Sequence, residues 1–364
     1  MKLRFTLILL LTSIFWYPIN AQDYRQYHTE RIQADKDIFV NQNLQKGLSV
    51  YRTLFKKYDF VFLSDCITAL QIALFANDEK AFLEITEKAT KNGLLPRHLL
   101  KLNYVKQHPL YLKNKEQIIA FYRKNRQHYL ARLDTAALKK MYRLYAFDQT
   151  QKNPRKGEDV IAYKRRYKRE LGQTINEFRA LVREKGFPGE KLIGVDQKDI
   201  MKELKTGAPD IADYYSLYKD IGRFSTEQIA LDERAFSTTI LGPIIVHYSF
   251  SYNAKAVHEL LPDELYFREV TKGNIHPNYF AAFNDCAYMD ALDDTKIPDL
   301  QKGDRDFGFE SLHAGNNLII PQNEVNKFRV KYYLSPLEVA KAKRKFMMEQ
   351  GMHWRMGWEG ILSE

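Results

Sequence analysis

Residues 240–252 form an apolar segment that holds one ionisable ring, His247. A neutral imidazole in such surroundings can act as a general base or as a metal ligand. The plainer alternative is a core histidine whose nitrogens are satisfied by neighbours. Asp285 can orient such a ring, as the carboxylate of a catalytic triad does, or it can cap or pair within its own helix. Glu310 and His313 are three residues apart, so they face each other only on a helix, and Gly308 and Gly315 disfavour one there. His247, Asp285 and Glu310 are therefore the candidate catalytic residues, and His276 and His313 are candidate substrate-binding residues. His258 and His276 could join His247 in a metal set, but no pair has the close spacing of a helical zinc site. No metal or other cofactor is expected. The chain has no G-x-S-x-G elbow, P-loop, dinucleotide fingerprint or paired-cysteine metal motif. Cys66 and Cys286 read as buried small hydrophobes rather than as a disulfide framework.

These residues have to be positioned by the rest of the chain. Lys2 and Arg4 precede an apolar run that ends near Ile14, and Ala21 precedes Gln22. A basic start, a short apolar core and a small residue at the cut form the signal-peptide pattern. Residues 1–21 are thus expected to be removed, and the remainder to be periplasmic or secreted. No later stretch has the roughly 20 apolar residues that a spanning helix needs. The net charge is +11, which favours anionic partners; export argues against nucleic acid and leaves an anionic polymer. Basic residues gather at 152–169, with Lys164-Arg165-Arg166 and Lys168-Arg169, and again at 341–345. Charge runs on helices are usually solvated faces.

Residues 22–36 read as a polar, loose lead-in. Helical periodicity then dominates residues 41–147. Leu44, Leu48, Tyr51, Leu54 and Phe55 share one face. Residues 62–77, 79–92, 114–130 and 134–148 read as further helices, with Gly93 as a C-cap and Asp134 as an N-cap. Residues 149–157, with Pro154 and Gly157, mark a boundary between domains at 22–150 and 151–364; at about 150 residues per domain, two are expected. In the second part a helix over 158–185 ends at Gly186-Phe187-Pro188-Gly189, and helices follow over 210–231, 254–272 and 277–292. Short strands are expected around 307–309 and 318–320. Residues 325–334 could be a strand or the start of a helix. Ser335-Pro336-Leu337-Glu338 has the form of a capping box opening a helix to about residue 350, and Trp354 and Trp358 lie in a tail that could dock on the body.

Ala69-Leu70 to Ala76, a polar turn, then Ala81-Phe82 and Lys88-Ala89 through Gly93-Leu94 resemble one tetratricopeptide-type helical hairpin, over about residues 62–95. No recurring period of about 34 residues flanks it, so neighbouring helices must cover it. A second resemblance spans about residues 178–310. Glu184-Lys185-Gly186-Phe187-Pro188 with Gly194, Ile244-Ile245-Val246-His247, Ala281-Ala282-Phe283-Asn284-Asp285 and Phe307-Gly308-Phe309-Glu310 resemble the landmarks of an uncharacterised bacterial exported domain. In that family's pattern a Gln precedes the His, an Arg follows the Asp and a Tyr-Gly-Thr-Gln ending closes the domain. Here Val246, Cys286 and Phe307-Gly308-Phe309 stand in those places. The resemblance implies a domain and candidate positions, with Phe187 as a further substrate-binding candidate; it implies no reaction. The expected fold is mainly α-helical, with a tetratricopeptide-like N-terminal array packed on a mostly helical C-terminal domain that carries a few short strands. Two functions fit. One is a binding or interaction protein of the cell envelope that holds a protein or peptide partner. The other is a cell-envelope hydrolase with its site around His247 and Asp285.

Overall fold

A computed structural model of the protein describes residues 22–151, 153–195, 260–278 and 322–352, together with Ile200, Glu203, Ile244, His247 and Tyr248. Residues 1–21, expected to be a signal peptide, Asp285, Glu310, His313, His258, Cys286, the strands expected near 308 and 319, the helix expected over 210–231, most of that expected over 277–292, and Trp354 and Trp358 lie outside the described residues. The described residues are mainly helical and include no strand.

The helices are α1 (Tyr24–Asp35), α2 (Leu44–Lys57), α3 (Leu63–Phe75), α4 (Glu79–Lys91), three short turns α5 (Pro96–Leu100), α6 (Asn103–Gln107) and α7 (Pro109–Lys113), then α8 (Lys115–Ala131), α9 (Thr135–Gln151), α10 (Val160–Lys185), α11 (Glu190–Ile193), α12 (Asp263–Thr271), α13 (Gln322–Lys331) and α14 (Leu337–Glu349). A π-helical turn, Lys36–Val40, joins α1 to the chain before α2. Their starts are set by side chains that accept from otherwise unpaired N–H groups. Asn43 accepts from Lys46 N, Asp78 from Ala81 N and Asp134 from Ala137 N. Asp159 accepts from both Ile161 N and Ala162 N.

The helices pack in successive pairs: α1 with α2, α3 with α4, α4 with α8, and α9 with α10. The α3–α4 pair comes close because Ala69, Ala73, Ala81 and Ala89 are fully buried between larger residues. Of the segment over 149–157, residues 149–151 end α9 and residues 153–157 lie between α9 and α10; buried residues on either side belong to one continuous core.

Two expectations change and one open choice is decided. The lead-in over 22–36 is helix α1, which turns Tyr24, Tyr27, His28, Arg31 and Asp35 into the interior. Residues 325–334 fall mostly in helix α13. The helix after Ser335 is capped differently from the expected box. Pro336 occupies its N-cap, and Leu337 N donates to Asn326 Oδ1 at 2.8 Å, so α13 supplies the cap.

The Gly186–Gly189 turn ends α10 and presses on the loop after α12. Gly186 has φ +95°, and a Cβ on Gly189 would lie 2.2 Å from the carbonyl oxygen of Asn274. Gly189→Ala is therefore expected to cost about 1–3 kcal/mol, as overpacking does. Chemical denaturation of the purified chain measures it, and an unchanged midpoint would mean that this close approach is absent.

Candidate functional site

Helix α9 buries Ala137, Leu138, Met141, Leu144 and Tyr145, and the same face continues to Asp148. The Asp148 side chain is 0% exposed, whereas that of His247 is 23% exposed. His247 Nδ1 lies 2.8 Å from Asp148 Oδ2, and Tyr167 on α10 donates to Asp148 Oδ1 at 3.2 Å. A carboxylate accepts, so Nδ1 carries the ring proton and Nε2 is left as the basic nitrogen. The Tyr167 ring meets His247 edge-on and stacks on Tyr163. Burial, followed by the charge of Asp148, pushes the Tyr167 phenol well above its ordinary range, so it stays a donor. Buried Ile244 and Tyr248 flank the histidine. The arrangement is a half-buried imidazole fixed in one tautomer by a buried carboxylate, which is the orienting half of an acid–base site.

His276 lies elsewhere, in a buried charged network that α1, α2, α3 and α14 share. It is fully buried, with its ring edge-on to Phe62 and His28. Its Nδ1 accepts from Asn278 N, and its Nε2 is 3.4 Å from Asp65 Oδ1. Asp65 also accepts from Tyr27 at 2.8 Å and has Arg31 Nε at 4.0 Å. Arg31 pairs with Asp35 at 3.3 Å, and Asp35 further accepts from Tyr51 at 2.7 Å and from Lys343 at 3.1 Å. Burial opposes ionisation of Asp65, but His276, Arg31 and Lys343 outweigh it and hold the carboxyl far below its usual range. Burial pushes both imidazoles below the ordinary histidine range, His28 furthest. Arg31 and Lys343 stand beside the two carboxylates, Asp35 and Asp65. Among the described residues, neither ring nitrogen of His28 has a hydrogen-bond partner, and neither do Nε and Nη2 of Arg31.

Phe187 is fully buried and meets Phe178 edge-on. Its N–H donates to Glu269 Oε2 at 2.7 Å, and the same oxygen accepts from Asn274 at 2.8 Å. Both Phe187 and His276 are thus interior residues with structural partners. Glu190 caps α3 through Leu63 N at 2.6 Å, and burial holds its carboxyl well above the ordinary range.

Of the sequence candidates within the described residues, His247, His276 and Phe187 sit in three different surroundings and do not converge. Asp285, Glu310 and His313 lie outside the described residues. The partner that His247 does have, Asp148, was not among the candidates. Its signal was present as an acidic residue on the apolar spacing 141, 144, 145, 148 of an amphipathic helix. Among the described residues no group of three or more His, Cys, Asp or Glu could hold a metal ion, and no helix is long and apolar enough to cross a membrane. No protein-family model, curated protein or solved structure matches the chain.

Proposed function

We propose that the chain is an exported hydrolase of the cell envelope in which His247 takes a proton from water or from a substrate hydroxyl. The observation that supports this is the contact between His247 Nδ1 and the fully buried Asp148, which leaves the other ring nitrogen basic on a partly exposed side chain. A carboxylate in that place holds the ring and stabilises the imidazolium formed when it accepts a proton. Asp148 thus takes the orienting role expected of Asp285. The test is a panel of chromogenic esters, phosphodiesters and glycosides offered to the chain from residue 22 onward. His247→Ala is expected to lower kcat/KM by about 10²–10⁴-fold, the range for loss of a general base. Asp148→Asn should lower kcat with little change in KM. If no substrate is turned over faster by the wild type than by His247→Ala, the reading fails.

The second reading is a binding protein whose tetratricopeptide-like helical pairs hold a peptide. It has one observation of its own, an open groove between α4 and α8 lined by Glu79, Lys80, Leu83, Glu84, Glu87, Gln117 and Phe121. Its carboxylates already pair with Lys113, Arg52 and Lys124, so Leu83 and Phe121 are left to seat apolar side chains of a peptide. Leu83→Lys should abolish binding of such a peptide and leave any hydrolysis untouched, which separates the two readings.

A further inference from the structure

We infer that the tip of the α9–α10 hairpin docks on an anionic lipid bilayer. Gln151, the last residue of α9, lies against Arg166, whose Nη1 donates to the Gln151 backbone carbonyl at 3.2 Å and to its side-chain oxygen at 3.0 Å. The six residues of α10 before Arg166 therefore run past the end of α9, a length of about 9 Å at 1.5 Å per residue. At the extreme end, Val160 is 67% exposed and Ile161 is 64% exposed. Space around the neighbouring turn is open, since a Cβ on Gly157 would meet nothing within 4 Å.

The charges of the tip are sorted by sign. Its carboxylates are occupied: Glu158 and Glu170 bind Arg166 at 2.8 and 2.9 Å, and Asp159 accepts from the first N–H groups of α10. Lys156, Lys164, Arg165, Lys168 and Arg169 are exposed, and Arg169 also lies 3.8 Å from Glu170. Helical spacing places Lys164 and Lys168 below Val160, and Arg165 and Arg169 below Ile161. The outer surface thus presents two adjacent aliphatic side chains above a basic collar. That order matches a bilayer interface, where aliphatic groups reach the acyl boundary and cations stay at the phosphates. A soluble polyanion would engage the collar and gain nothing from the aliphatic end. Arg166 also donates to the Asn153 carbonyl oxygen, so the turn is fixed before it meets a surface and binding orders little new chain. This inference does not depend on the proposed hydrolysis, although Tyr163 links the tip to Tyr167 and His247.

The test is co-sedimentation of the chain from residue 22 onward with phosphatidylglycerol-containing vesicles and with pure phosphatidylcholine vesicles. Binding is expected only to the anionic vesicles, and it should weaken as salt rises. Each cation near the surface multiplies partitioning about fivefold, so Lys164→Glu with Arg165→Glu should lower it more than tenfold. Val160→Ser with Ile161→Ser should lower it by a similar factor, while binding to soluble polyphosphate stays unchanged. All four side chains are exposed, so circular dichroism should show both double variants folded. The Ile161→Trp variant should show a blue-shifted emission with anionic vesicles. Equal vesicle binding by the wild type and the double-serine variant would overturn the inference, as would an Ile161→Trp emission that vesicles do not shift.

Discussion

Replacing Asp65 with alanine is expected to lower the stability of the protein by about 3–5 kcal/mol, the cost of removing one partner from a buried charge pair. Asp65 is buried, accepts from Tyr27, and has His276 Nε2 at 3.4 Å and Arg31 Nε at 4.0 Å. Its loss leaves a buried guanidinium facing Asp35 alone and a buried phenol with no acceptor. A domain's whole stability is only about 5–15 kcal/mol, so the variant should sit near its unfolding midpoint under mild conditions. Lys343→Met removes a cation that is 21% exposed, so it should cost less. Urea denaturation measures both. If Asp65→Ala unfolds within about 1 kcal/mol of the wild type, the network contributes nothing net.

The second large effect is a loss of stability in mild acid. His28 and His276 have folded-state pKa values below the ordinary histidine value. Below about pH 6.5 the unfolded chain takes up protons at both positions while the folded chain does not. Stability then falls with falling pH, by up to about 1.4 kcal/mol per pH unit for each ring, until the folded pKa is reached. Glu190 acts in the opposite sense. Its folded pKa is raised, so its contribution is complete below about pH 4.3, the unfolded value, and is lost as pH rises through the folded one. Below about pH 6.5 Glu190 therefore opposes the two histidines, and the net slope is smaller than theirs alone. Glu190→Gln should steepen it, and His28→Phe should flatten it. A stability that does not change between pH 7 and pH 5 in all three proteins would show that these groups do not titrate as their burial dictates.

Helices whose buried face is apolar were legible in the sequence. The spacing of Leu48, Tyr51, Leu54 and Phe55 gives α2, and that of Ala81, Phe82, Ile85 and Ala89 gives α4. Helix α1 escaped the same test because half of its buried face is His28, Arg31 and Asp35, which hydropathy scores as surface. The cap of α14 escaped because it comes from Asn326, eleven residues away, whereas a capping box is sought within four. The His247–Asp148 pair joins positions 99 apart, and no local pattern records such a pairing. What could be read is that Asp148 continues an apolar helical stripe, where a carboxylate is stable only with a partner.

The contact between Lys343 and Asp35 spans 308 positions and bears on how the protein is made. While the chain emerges from the ribosome, α1 exists long before the residues that complete its charged interior. Asp35 lacks Lys343, and Asp65 lacks His276, until the C-terminal segments have been synthesised. Contacts so distant in sequence also form slowly. The charged interior that α1 shares with α3 is therefore completed only by residues from the far end of the chain, and a chain cut short before Lys343 leaves Asp35 without that cation.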